Sequence, residues 1–257
     1  MLVLLSCAKT MSAVSKVKVP LTTSPRFQKE AAEIALQMSQ FSVDELERLL
    51  RVNAKIAVEN YKRYQAFHAE ATSELPALLA YTGIVFKRLN PKDFSAEDFG
   101  YAQEHLRLTS FCYGLLRPLD VIRAYRLEGD VVLPELGNQT LFSYWRSRLT
   151  DTFIEDIRSA GGILCNLASD EMKSLFDWKR VESEVRVVTP EFHVWKNGKL
   201  ATIVVYTKMS RGEMTRFILK NKIGNPEELK GFSWEGFEFD ESLSDERKLA
   251  FINGMGE

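Results

Sequence analysis

MLVLLSCAK, residues 1–9, holds five consecutive apolar side chains and then breaks into small and polar ones. The run is too short for a helix and too uniform for a half-exposed strand, so it predicts a strand buried on both faces. ILCNLAS (163–169) repeats the pattern and ends in Asn and Ser. Open α/β sheets bind ligands beyond the carboxyl ends of such strands. If the two runs are neighbours, Lys9, Asn166 and Ser169 meet beside one pocket, with Ser6, Asp170 and Glu171 close by. Loop capping by Asn and Ser accounts for the same residues without a ligand.

Outward from these strands, residues 12–25 predict an exposed loop with two prolines, and Gln28 to Gln40 an Ala-rich helix. Ser42 and Glu45 form a capping box ahead of Leu46, Leu49 and Leu50, and the helical pattern continues toward Phe67 with a break near Asn53. YTGIVFKRL (81–89) predicts a short extended segment in which Gly83 permits close backbone approach. Ser95 caps a helix whose Phe99, Ala102, Leu106 and Tyr113 share a face until Pro118. A further helix from Leu141 to Ser159 stops at Gly161-Gly162. Asn197-Gly198 between FHVW and LATIVVYTK predicts a hairpin, RGEMTRFILKN (211–221) a helix, and Asn225-Pro226 the start of a short one. GFEFD and LAFI predict closing strands. The pattern gives one α/β (mixed α+β) domain over 1–257, a mixed sheet surrounded by helices.

The bulk composition narrows the function. Hydrophobic residues make up 45% and charged residues 27% of 257, which is a globular balance. Cys7, Cys112 and Cys165 are odd in number and far apart, so they suit a reducing cytoplasm better than a disulfide framework. No stretch resembles a membrane span or a signal peptide, which predicts a cytoplasmic protein without a membrane partner. Net charge is −1, so global basicity cannot drive nucleic-acid binding. Residues 173–222, however, carry eleven Lys and Arg against five Asp and Glu, and 223–257 carry three against nine. That asymmetry permits a local positive field on a nearly neutral chain.

Two stretches gather cations. CYGLLRPLDVIRAYRLEGD (112–130) sets Arg117, Arg123 and Arg126 among apolar neighbours, with Asp120 at the start of a second helical turn after Pro118. Helix, glycine turn and helix would present backbone N–H groups and arginines to a phosphate strand. The same residues fit an Asp120–arginine pair inside a helix-packing joint. YTKMSRGEMTRFILKN (206–221) carries Lys208, Arg211 and Arg216 across a strand-to-helix junction, where the helix dipole favours anions. A solvated helix face with Glu213–Arg216 pairing accounts for these as well. Tyr113, Asp120 and Tyr125 complete the candidate pocket.

Three histidines without HExxH spacing give no metal site, and no GxSxG, Walker or dinucleotide glycine pattern occurs. The chain therefore calls for no metal and no cofactor. Cys7 near Lys9 is either an activated thiolate or a buried strand-end cysteine.

Motifs spread along the chain resemble one family: SCAKT (6–10), YTGIVF (81–86), EDFGYAQEHLRL (97–108), YGLLRPLDVI (113–122) with YRLE (125–128), NLASDE (166–171), SRGEMTRFI (210–218) and GFSWEGFEFD (231–240). The chain resembles the YaaA peroxide-stress-resistance family of bacterial cytoplasmic proteins. That resemblance implies a single α/β domain with a positively charged cleft and a helix-hairpin-helix element, here at YGLLRPLD. It also implies binding to double-stranded or distorted DNA and a role in limiting iron-driven DNA damage. Lys9, Arg107, Arg117, Arg123, Arg126, Lys208, Arg211 and Arg216 are then the candidate DNA contacts. Departures from the family pattern fall at Cys7, Phe111-Cys112, Met172 and Met209-Ser210, the last removing one positive charge. The rival expectation is an enzyme acting on a nucleobase, nucleotide or other phosphate-bearing small molecule in the same cleft. Iron handling through carboxylate ligands is the third.

Overall fold

The computed structural model describes residues 1–196 and 198–254. Its centre is β1 (Leu2–Leu5), all four residues buried, paired in parallel with β3 (Leu106–Ser110) on one edge and β8 (Ile163–Asn166) on the other. No β1 side chain meets water, which explains the unbroken apolar run. Eight strands form one mixed sheet. From β8 it continues through β9 (Arg186–Lys196) and β12 (Lys248–Asn253), both parallel, to antiparallel β11 (Phe237–Asp240). Beyond β3 lies β4 (Gly114–Leu116), antiparallel, and β10 (Lys199–Ala201) pairs with the far end of β9. Two short ladders stand apart: β2 (Glu74–Pro76) with β5 (Val121–Arg123), and β6 (Val132–Leu133) with β7 (Gln139–Thr140).

The helices follow their sequence signals. α1 (Gln28–Met38) precedes α2 (Val43–Leu50), where the Ser42–Glu45 capping box is formed, and α3 (Ala54–Ala66) begins at Asn53, whose side chain accepts from the Ile56 N–H. α4 (Ala77–Ala80) is a single turn. α7 (Leu141–Ser159) ends before Gly161-Gly162 and buries Trp145, whose indole N–H donates to the Phe111 carbonyl at 2.8 Å. Burial of an aromatic side chain of this kind contributes roughly 1.5–3 kcal/mol. α8 (Asp170–Lys173) and α9 (Trp178–Glu184) lead from β8 to β9. Asn225 caps a 3-10 turn over Pro226–Gly231.

Four expectations change. Residues 84–89 are helical, α5 (Ile84–Leu89), rather than extended. The close approach at Gly83 is real, since a Cβ there would lie 2.9 Å from the Ala8 Cβ. The Ser95-capped helix, α6 (Ala96–His105), stops at His105, because the next five residues are all buried in β3 and the first three of them pair with β1. No helix-hairpin-helix forms at YGLLRPLD. Tyr113–Arg123 is a strand, a turn and a strand, with no α-helix described between His105 and Leu141. Pro118 sits second in a turn closed by Asp120 N–H to the Arg117 carbonyl (3.2 Å), and the Asp120 carboxylate accepts from Arg117 N–H at 2.8 Å. Finally, the second hairpin strand is only three residues long. Val204 opens α10 (Val204–Asn221), so a β-branched run that favours strand is helical here. Asn197 lies outside the described residues, while Lys196 and Lys199 pair across the position as a hairpin requires.

α10 crosses α5 at Gly212, where an added Cβ would strike the Val85 carbonyl oxygen and lie 2.8 Å from Arg88 Cβ. Backbone cannot yield there. Gly212→Ala is expected to destabilise the fold by about 1–3 kcal/mol, the usual cost of overpacking. Denaturant unfolding checks this, and an unchanged or higher midpoint would contradict the close crossing.

Candidate anion-binding cleft

The parallel register Leu4↔Asn166 brings the ends of β1 and β8 together on one side of the sheet, and the pairing of β1 with β3 stops beside them at Leu5↔Leu108. From β1 the chain leaves toward β3, whereas from β8 it leaves toward β9. The crevice therefore lies where successive connections diverge, the usual ligand position in an open sheet. A cavity of about 320 Å³ opens there. Ser6 and Ser169 stitch its base: the Ser169 N–H donates to Ser6 Oγ at 2.9 Å, and the two hydroxyls are 3.4 Å apart.

Four of the candidate cations reach this cavity: Lys9 after β1, Arg126 from the irregular stretch after β5, and Lys208 and Arg211 from α10. The last two are three residues apart and share a helix face. Glu171 also lines the cavity, and the Lys9 ammonium donates to buried Glu128 at 2.7 Å. Arg126 stands 3.8 Å from the other oxygen of Glu128. Lys208 and Arg211 form no ion pair among the described residues. The Nε atoms of Arg126 and Arg211 are buried without a hydrogen-bond partner. Burial lowers the Arg211 pKa from its ordinary value, with Asp170 acting in the opposite sense. A desolvated guanidinium without a carboxylate costs free energy until an anion joins it.

The other four cations serve the framework. Arg107 is buried, donates to Asp156 at 2.7 Å and turns back onto the carbonyls of Gln103 (3.0 Å) and Leu106 (2.9 Å). Arg117 donates to Asp120 at 2.8 Å, Arg123 donates to Glu74 at 2.9 Å and to the Phe67 carbonyl, and Arg216 holds Asp93 through two bonds of 2.8 and 2.5 Å. Of the candidate pocket residues, Ser6, Tyr125, Ser169 and Glu171 line the cavity. Tyr113 is buried beside it, its hydroxyl accepting from Arg123 N–H, and Asp120 is buried at its turn. Asn166 accepts from Ala168 N–H, and Asp170 faces solvent with Lys173. Glu128 escaped the sequence-based selection although it lies in the YRLE motif, because nothing local shows that Lys9 reaches it.

A family model described as "Peroxide stress protein YaaA" matches residues 1–243. The chain belongs to this family. It is 98% identical over its whole length to a UPF0246 protein of Bacteroides thetaiotaomicron and 78% identical to one of Bacteroides fragilis, with both chains fully covered. A UPF0246 protein of the more distant Crocosphaera subtropica is 39% identical over 98% of this chain and all of its own. No described helix is long and apolar enough to cross a membrane.

Burial pushes the Cys7 and Cys165 thiols up to about 12, and the Cys112 thiol upward as well. Cys7 is therefore a strand-end thiol rather than an activated thiolate. Since the thiolate is the reactive form, peroxide at neutral pH is expected to leave all three thiols intact in the folded protein. Thiol titration after unfolding checks this, and loss of Cys7 under mild treatment of the native state would contradict it.

Proposed function

We propose that the protein acts in the peroxide-stress response by binding DNA, seating one displaced nucleotide in the strand-end cavity and its phosphates against Lys208, Arg211 and Arg126. The observation that carries this is the pair of buried guanidinium Nε atoms left without partners at an otherwise ordered site. Phosphate oxygens satisfy such donors, and arginine can bind them two at a time. The size of the cavity, about 320 Å³, suits a single compact ligand, not the width of a duplex. Distorted DNA therefore fits better than an intact helix, because extruding a nucleotide costs least where pairing is already damaged or mismatched. Sequence would not be read, since backbone contacts carry no base information.

The cavity would also hold a free nucleotide or nucleobase, with the Glu171 carboxylate as acid or base and the cations stabilising developing charge. Altered products from a nucleoside and oligonucleotide panel would favour that enzymatic reading, and unchanged products would count against it.

Mobility-shift titrations of an intact and a bulged duplex at several salt concentrations test the DNA reading. With Lys208, Arg211 and Arg126 engaged, the slope of log K against log salt is expected near −3, from roughly 0.9 per phosphate. The bulged duplex should bind more tightly. Lys208→Glu/Arg211→Glu should abolish the shift, whereas Lys55→Glu, on the exposed face of α3, should not. Absence of binding by the native chain at low salt, or equal loss in both variants, overturns it.

A further inference from the structure

A second concavity of about 950 Å³ lies between the 12–18 segment and residues 78–94. Its floor includes Leu79, Phe86 and Phe94, and four lysines surround it: Lys16, Lys18, Lys87 and Lys92. All four are exposed. No Asp or Glu lines the concavity, and among the described residues none of the four lysines pairs with a carboxylate. Elsewhere the cations of this nearly neutral chain are commonly paired, and nearby Asp93 is already held by Arg216. A solvated lysine face on such a surface would ordinarily be interspersed with acids. Here a whole groove carries one sign.

The segment that supplies two of the lysines is set by its valines. Val17 and Val19 pack against the core, while Lys16 and Lys18 alternate outward. Alternation of this kind turns both ammonium stems away from the core, so that Lys16 and Lys18 stand on the same rim of the concavity.

The groove adjoins the strand-end cavity. Phe86 lines both, and the boundary is the two-chain bridge between residues 10–12 and 80–82, closed by Ser12 N–H to the Ala80 carbonyl (2.8 Å) and Thr82 N–H to the Thr10 carbonyl (3.0 Å). An occupant that spans both must be a narrow, flexible polyanion. A folded acidic surface could cover the lysines but could not thread inward to the buried Arg211 guanidinium.

We propose that this groove is a track for a single nucleic-acid strand, the unpaired flank of the DNA whose displaced nucleotide enters the neighbouring cavity. The track rests on the DNA reading above. Lys16, Lys18, Lys87 and Lys92 contact successive phosphates, and the apolar floor lies beneath the sugars and bases. Lysine suits this task because a mobile point charge follows a flexible backbone without demanding one orientation.

Fluorescence anisotropy with the full chain tests the track, using a bulged duplex, the same duplex with a single-stranded extension at the bulge, and a polyglutamate peptide. The proteins are the native chain, the quadruple variant Lys16→Glu/Lys18→Glu/Lys87→Glu/Lys92→Glu, its Lys→Gln counterpart in case the reversal impairs folding, and Lys208→Glu/Arg211→Glu. The extension should tighten binding by the native chain. That added affinity should fall about fifty-fold between 50 and 200 mM salt, from roughly 0.7 in slope for each of four single-strand contacts. Both quadruple variants should lose the advantage of the extension, lowering the slope by about 3, yet still bind the plain bulge. The cavity variant should lose both probes. Equal gains in the native and quadruple-variant chains would overturn the track and leave the DNA reading standing. Failure of the native chain to bind either DNA would overturn both. Binding of polyglutamate at the lysines in preference to DNA would overturn the track in favour of an acidic protein partner.

Discussion

The parallel pairing of β1 with strands on both edges governs everything at the site. With its backbone paired on both sides by β3 and β8 and its side chains fully buried, β1 stops beside the end of β8, while β3 runs on to Ser110. Three chain exits are then crowded onto one side, and the loop bearing Ser6 to Thr10 lies against Ser169 and the first turn of α8 bearing Glu171. α10 is laid over this edge by its tight crossing with α5, close enough that only glycine fits at position 212. A helix face carrying Lys208 and Arg211 is thereby held over a strand-end crevice by packing that owes nothing to its charge.

The cations divide according to where their counter-charges lie. Arg107, Arg117, Arg123 and Arg216 each have a carboxylate within hydrogen-bond distance and close a joint of the fold. Removing Arg117 would leave the buried Asp120 carboxylate without its ion-pair partner, a costly change, whereas Asp156 would keep Arg26 if Arg107 were lost. Lys9 and Arg126 share Glu128, while Lys208 and Arg211 have only the solvent and the cavity. The chain thus carries arginines paired across joints of the fold and, at the cavity, Arg211 with no ion pair among the described residues.

Much of this was legible. The apolar runs at 1–5 and 163–167, the capping residues at 42 and 95, the helical break near 53 and the double glycine after 160 report local physics, and the structure follows them. The helix expected past His105 was not legible as a strand, because Phe99, Ala102 and Leu106 keep a helical spacing up to the point where β1 takes the chain as its neighbour. Val204 and Val205 favour strand, yet packing of the later turns of α10 draws them into the helix. The sorting of the arginines was hidden for the same reason. Arg107 meets Asp156, Arg123 meets Glu74 and Arg216 meets Asp93 across many residues of sequence, and no window contains both partners. The lysine groove was overlooked because its first two members lie in what reads as an ordinary exposed loop.

The proposed site rests on Arg211, which forms no ion pair among the described residues, and on Arg126, whose Nε is buried without a hydrogen-bond partner although Glu128 stands 3.8 Å from its guanidinium. The most direct measurement is the NMR response of arginine Nε–H groups as a short oligonucleotide is titrated into the native protein. The account predicts that the Arg126 and Arg211 signals shift and become protected from exchange, with those of Arg107, Arg117 and Arg216 unmoved. Unchanged signals for Arg126 and Arg211, or a uniform drift of all five, would contradict it.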